Sequence, residues 1–165
     1  MAQYRLESIG ELARQMRFTP IPRRLEQLDA AEDLLLKLCP EQTYTLAEIL
    51  TAITGYEPRQ ADKSLLTGVA LQHDLGMLLE EVSDSLQLHV NSSPEPILTI
   101  EEAAQRLSVT TKTIQRWRRR GLPARRFTYC DGKRRIGFRF SSLKRFLGSP
   151  AGVEQVTPVP STGRD

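Results

Sequence analysis

Cysteine and histidine are scarce in this chain, with two of each among 165 residues. Cys39 and Cys130 lie far apart and form no CxxC or Cys/His spacing, which argues against a thiolate metal site or a redox pair and leaves both as structural or incidental thiols. His73 and His89 fit no HExxH arrangement, and neither a Gly-rich phosphate loop nor a nucleophile elbow is present. His73 and Asp74 are adjacent on a helical stretch, so their side chains are expected to diverge and to serve surface or capping roles. An enzyme is therefore not expected, and no metal or other cofactor is called for. Long apolar runs are also missing: nothing approaches the roughly 20 residues of a membrane-spanning helix. The N-terminus has no continuous apolar core, and Glu7 and Glu11 are wrong for a transit peptide, so a cytoplasmic protein without membrane association is expected. No internal repeat implies a solenoid.

What is present is an uneven distribution of charge. Residues 112–145 hold thirteen Lys or Arg against one acid, Asp131, a net of +12. The rest of the chain carries 10 basic and 19 acidic residues, a net of −9, beneath an overall charge of only +3. A basic block that coincides with a helix and a hairpin points to nucleic acid.

The acidic part reads as helical. Leu6, Ile9, Leu12 or Ala13, and Met16 follow a helical period within an N-terminal arm, 1–22, although Gly10 interrupts it. Such a helix could pack on the body, fray or meet a partner. Residues 23–90 form the expected acidic helical domain. Leu25, Leu28, Ala31, Leu34, Leu35 and Leu38 make one apolar stripe, started near Pro22 and stopped by Pro40. Thr45 and Glu48 have the capping-box spacing for a helix through Ile53, ended by Gly55. A longer helix follows Gly68 and reaches Leu86. The acidic surroundings of 45–66 favour packing or protein recruitment over a second DNA contact. Residues 91–97, with Pro94 and Pro96, are the expected linker, and 148–165, rich in Pro, Gly, Ser and Thr, the expected disordered tail.

Residues 98–147 carry the chemistry. Thr99 and Glu102 form a second capping box, Ala103, Ala104 and Leu107 give a small apolar face, and Ser108-Val109-Thr110 reads as a tight turn. Thr110 caps a second helix, Thr111 to about Arg120, ended by Gly121 and Pro123. Ile114 and Trp117 point one way on it; Lys112, Gln115, Arg116 and Arg119 point the other. Trp117 reads as a core anchor in preference to a base-stacking ring. Arg116 and Arg119 suit guanine edges or phosphate, Gln115 suits adenine, and Thr111 and Thr113 suit phosphates by the helix N-terminus. Phe127 and Tyr129 precede Asp131-Gly132, and Ile136, Phe138 and Phe140 follow, which predicts a hairpin with a two-residue turn and Phe127 opposite Ile136. Lys133, Arg134 and Arg135 would then sit at its tip, beside Arg120 at the helix end among the candidate DNA contacts. Ser141 is expected to cap a last helix through Leu147.

These residues resemble the MerR-like, excisionase-type winged helix-turn-helix. The resemblance is carried by the opening Leu98-Thr99-Ile100-Glu101-Glu102-Ala103-Ala104, the run Val109-Thr110 to Arg116-Trp117, the exit Gly121-Leu122-Pro123, the basic hairpin and the closing Ser141, Leu143, Phe146 and Leu147. It covers about a third of the chain. It implies that helix 111–120 enters the major groove, placing Thr111, Lys112, Gln115, Arg116 and Arg119 there, while the hairpin touches the flanking backbone. The hairpin departs from the common form in being longer and richer in aromatics. A second, broader resemblance runs from roughly Phe18 to Phe146. It is similar to the segment preceding the sigma regions in a group of bacterial sigma-70 family factors, notably at Ile53-Thr54-Gly55-Tyr56 and Arg118 to Phe127. The chain stops before any sigma region, so promoter melting and core polymerase binding by those regions are not carried over.

The expected fold class is thus mainly α, a helical N-terminal domain plus a small winged helix-turn-helix domain with a β-hairpin. The expected function is sequence-specific binding of double-stranded DNA, as a transcriptional regulator or sigma-factor-like accessory protein. The alternatives are an excisionase-like DNA-bending factor, or a protein–protein adaptor tethered non-specifically to nucleic acid. RNA polymerase or another protein is the candidate partner of the N-terminal helices, and a homodimer is left open because no long heptad repeat is visible.

Overall fold

The computed structural model describes residues 3–58, 63–150 and 152. The fold is mainly α, with small antiparallel sheets and a winged helix-turn-helix in the C-terminal half.

Helix α1 (Glu7–Met16) buries Ile9, Leu12, Ala13 and Met16, the stripe that the period of the sequence predicts. Gly10 lowers helix propensity by about 1 kcal/mol relative to alanine. Its use here is spatial, because the Tyr4 ring lies over it and an added Cβ would come within 3.1 Å of that ring. The residue preceding α1 is Leu6, which has no side-chain acceptor for the free N–H groups of a helix start. Asp74 supplies one from another helix: it is fully buried and accepts from the backbone N–H of Arg5 at 3.0 Å and of Leu6 at 2.6 Å. His73 Nδ1 meets the same carboxylate at 2.8 Å. The expectation that His73 and Asp74 diverge is therefore overturned, because the helix start draws the carboxylate inward and the imidazole turns to follow it.

Helix α2 (Ile21–Lys37) has Pro22 in its first turn, and α3 (Leu46–Thr54) carries the complete Thr45–Glu48 capping box and ends at Gly55. Strands β1 (Thr43–Thr45) and β2 (Leu65–Thr67) pair antiparallel, Tyr44 opposite Leu66. Three-residue strands leave no readable alternation in the sequence. Helix α4 (Gly68–Leu86) is capped by Thr67 and crosses the half as its central element, with Leu71, Leu75, Leu78, Leu79 and Val82 fully buried.

In the C-terminal half, strand β3 (Ile97–Leu98) leads into α5 (Ile100–Leu107) through the Thr99–Glu102 capping box. The turn after α5 places Ser108 at φ +57°, a left-handed position usually given to glycine or asparagine. Helix α6 (Thr111–Arg118) starts at the predicted Thr110 cap but is two residues shorter than expected. Arg119 and Arg120 fold into a turn with N–H bonds to Arg116 and Trp117 carbonyls.

Strands β4 (Arg125–Thr128) and β5 (Arg134–Arg139) form the hairpin, and the sheet order is β3-β5-β4. The expected register is wrong by one residue: Phe127 pairs with Arg135, and Ile136 pairs with Arg126. The loop holds three residues, not two. Gly132 donates to the Tyr129 carbonyl at 2.8 Å, Tyr129 donates to the Lys133 carbonyl at 2.9 Å, and Gly132 sits at φ +82°. This is a turn closed by a glycine bulge, in which Asp131 accepts from the Lys133 N–H at 3.0 Å. Phe127 and Ile136 consequently lie on opposite faces of the ribbon, since the side-chain period is two. The other edge of β4 is also occupied: Thr128 N donates to the Leu88 carbonyl at 2.7 Å, and His89 bridges Thr128 in parallel.

Helix α7 (Phe140–Leu147) closes the domain. Ser141 does not cap it, a further correction. The helix begins two residues earlier, with Arg139 in the cap position, and Glu95 from the preceding connector accepts from both the N–H and the hydroxyl of Ser141, at 2.7 and 2.8 Å. The proposed tail lies outside the described residues beyond 148–150 and 152.

Two apolar clusters result. The first joins α1, α2, α3 and α4; the second gathers Leu98, Ala103, Ala104, Ile114, Trp117, Leu122, Phe138, Leu143 and Phe146. Leu36 of α2 belongs to the second cluster, so the helical half contributes a wall to the core under the helix-turn-helix.

Candidate nucleic-acid interface

Helix α6 is held by two residues. Ile114 and Trp117 are 0% and 2% exposed, and the indole lies 5.6 Å from the Phe146 ring, centroid to centroid. Trp117 is thus a core anchor, and its ring is not on offer to a base. With that face fixed, Thr111, Lys112, Arg116, Arg119 and Arg120 are exposed and Thr113 and Gln115 half-buried. Lys112, Arg116 and Arg119 make no ion pair among the described residues. Thr113 is drawn into the cap, its N–H donating to Thr110 Oγ1 at 3.1 Å and its hydroxyl 3.0 Å from the same oxygen. Gln115 accepts a hydrogen bond from Arg118.

The hairpin cations are exposed as well but differ in what they touch. Lys133, whose ammonium has no ion-pair partner among the described residues, sits at the tip. Arg134 is tied to Asp84 of α4 at 2.9 Å. Arg135 bonds Asp131 at 2.5 Å and lies over the Tyr129 ring, 5.4 Å from its centroid. That bond, with the Lys133 N–H, holds the Asp131 carboxyl below its ordinary value. Burial, with Glu102 and Glu101 nearby, pushes the Tyr129 hydroxyl up to about 12. The hairpin therefore leans on α5 and α4 and is not a free arm.

The basic block is only partly available to a ligand. Among the described residues, five of its thirteen cations pair with acids in residues 29–95: Arg118 with Glu80, Arg125 with Asp29 and Glu32, Arg134 with Asp84, Arg139 with Glu32, and Arg145 with Asp33. The centre of this network is Glu32, 1% exposed. It accepts from Arg125 Nε at 2.7 Å, from Arg139 Nη2 at 3.0 Å and from the Ser142 hydroxyl. Burial alone would raise its pKa, but the two guanidinium charges and the bonds from Ser142 and Arg125 outweigh that and hold it below 4.5. The helical half thus neutralises the base of the hairpin and, among the described residues, leaves Lys112, Arg116 and Arg119 on the outward side without an ion-pair partner.

Sequence reasoning missed Arg118 and Arg106. Arg118 lies between the two faces of α6 and was assigned to neither, yet its fork grips Glu80 at 2.6 and 3.2 Å. Gly76, one turn before Glu80, permits the approach, since a Cβ there would be 3.3 Å from the Arg118 carbonyl. Arg106 lies 4.9 Å from the Phe140 ring centroid, with Lys144 at 5.5 Å. No residue pattern at the level of sequence marks these cross-element partners.

No group of three or more His, Cys, Asp or Glu is placed to hold a metal ion among the described residues, and no helix there is long and apolar enough to cross a membrane. No curated protein and no solved structure matches the chain. Residues 97–149, about a third of the sequence, match the family described as "Helix-turn-helix domain", and together with the geometry of α5, α6 and the hairpin this marks the segment as a DNA-binding helix-turn-helix.

Proposed function

We propose that the protein is a non-enzymatic, sequence-specific binder of double-stranded DNA that regulates transcription. Helix α6 enters the major groove and the 125–140 hairpin lies along the adjacent backbone. The observation that carries this reading is the face of Lys112, Arg116 and Arg119, exposed and unpaired among the described residues, on a helix fixed from behind by Trp117. Thr111 and Thr113 flank the helix start, where phosphate is favoured. Arg120, Lys133, Arg134 and Arg135 complete the interface on the backbone side, with Lys133 the hairpin cation most open to phosphate. Arg134 engages DNA only by leaving Asp84.

The test is a binding selection on randomised duplexes at two salt concentrations. Arg116→Ala is expected to erase preference at one or two base positions, while Lys133→Ala weakens all duplexes alike and reduces the salt slope by about one. Equal affinity for every sequence would overturn this reading in favour of a non-specific tether. Among protein partners, RNA polymerase captured through the acidic helices is the finer proposal, and co-purification with the purified polymerase checks it. Loss of binding on mixing at low salt would exclude it.

A further inference from the structure

Gln115, by residue type, suits adenine, whose major-groove edge pairs an acceptor, N7, with a donor, the N6 amino group. That match requires both ends of the glutamine amide. Here the carbonyl end is turned towards Arg118, which already occupies one of its two lone pairs. Arg118 Nη1 donates to Gln115 Oε1, while Nε and Nη2 of the same guanidinium hold the two carboxylate oxygens of Glu80 on α4 at 2.6 and 3.2 Å. Because arginine has five donors and no acceptor, the amide group facing it must be the carbonyl. The glutamine NH₂ is consequently the end turned away from Arg118. Both members of the ion pair are mostly covered, with side chains 24% and 19% exposed, so the fork is not a loosely solvated contact. Close approach of α4 at Gly76 fixes the backbone of Arg118 as well.

On the helical wheel Gln115 stands beside Lys112 and Arg119, on the Arg118 flank of the outward face. Building on the reading above, we infer that Gln115 is a donor-only reader that selects guanine, and that Arg118 and Glu80 are the positioning residues that make it so. Two amide hydrogens match the adjacent guanine acceptors N7 and O6; adenine presents one acceptor beside a donor and is disfavoured. The acidic helical half thereby takes part in base choice without touching DNA. Glu80 sets the rotamer of Arg118, and Arg118 sets which end of Gln115 faces the groove.

The experiment is a base-preference profile over every position of the selected site for the full chain and its variants, with folding checked by circular dichroism. In the wild type, the position flattened by Gln115→Ala is expected to prefer guanine. Arg118→Met frees the amide to turn and should move that one position towards adenine by about tenfold, leaving the others unchanged. Arg118→Lys retains a donor and should keep the guanine preference. Gln115→Glu keeps an oxygen for Arg118 Nη1 and should shift the position towards cytosine, whose N4 amino group donates. This last variant keeps the inference falsifiable if Arg118→Met fails to fold. An adenine preference in the wild type at the Gln115-dependent position, or a profile indifferent to both Arg118→Met and Gln115→Glu, overturns the inference while leaving sequence-specific binding intact. Absence of preference at every position overturns the functional reading itself, and this inference with it.

Discussion

Replacing Glu32 by glutamine should cost the protein much of its stability. The carboxylate is 1% exposed and receives Arg125, Arg139 and Ser142 from the C-terminal half. Glutamine keeps the shape but has one acceptor oxygen, and its NH₂ must face a guanidinium. As carboxylate partners among the described residues, Arg125, whose side chain is 7% exposed, would keep Asp29 alone, and Arg139 Glu95 alone, at 4.0 Å. Stripping the partner from a buried ion pair costs about 3–5 kcal/mol, and the two remaining acids argue for the lower end, about 3 kcal/mol. For a chain of this size that is a fall in Tm of about 6–12 °C. Asp33→Asn is the internal control, because its pair with Arg145 is roughly half exposed on both sides and should be worth under about 1 kcal/mol. Urea unfolding at pH 7 can be followed by circular dichroism, which reports the helices, and by the fluorescence of the single tryptophan, which sits in the second core. In the wild type the two transitions should coincide. A loss below about 1 kcal/mol for Glu32→Gln, or one equal to that of Asp33→Asn, would refute the argument. The pH dependence follows the same group. Its folded pKa is depressed, so its contribution is complete above the ordinary value of 4.5 and is lost as pH falls through the lower folded value. Acid should therefore destabilise the wild type more steeply below pH 4.5 than it does Glu32→Gln.

Two further expectations concern local structure. Ser108→Gly should stabilise the helix-turn-helix by about 0.5 kcal/mol, because relief of a left-handed serine outweighs the added freedom of the unfolded glycine; a lower urea midpoint would contradict this. Glu95→Ala should cost about 1–2 kcal/mol by leaving the first turn of α7 without its acceptor, and amide exchange at Ser141 should accelerate. Unchanged exchange there would show that water replaces Glu95 without penalty.

How much of this was legible in the sequence depends on distance along the chain. The capping boxes at Thr45–Glu48 and Thr99–Glu102 and the Thr110 cap were readable because both partners lie within three residues, and each was found in place. The apolar stripe of α1 followed from its period alone; that of α2 did so only in part, because Leu25 and Leu34 are half-buried while Leu36 and Glu32, which the period puts off the stripe, are buried against the C-terminal half. The hairpin was read correctly as a hairpin, but Asp131-Gly132 fits a two-residue turn and a three-residue bulged loop equally well, and only the ladder distinguishes them. What failed were contacts between distant residues. Asp74 capping α1, Glu95 capping α7 and Glu32 facing Arg125 span 68, 46 and 93 positions, and no local pattern announces them. For the candidate interface the outward face of α6 was visible from its wheel, whereas the attachments of Arg118 to Glu80 and Arg134 to Asp84 required the helical half to be in place.

The connector at Leu88 and His89 has a consequence for solubility. A ribbon ending in an open strand is a template on which a second chain can extend the sheet, and a long bare strand invites aggregation. Here β4 carries Leu88 and His89 along its outer side, and the opposite border is β3, only two residues long. At Thr128, Phe138 and Arg139 the edges are thus already occupied and closed to a foreign strand. The hairpin thus presents less open edge on which a second copy could extend the sheet.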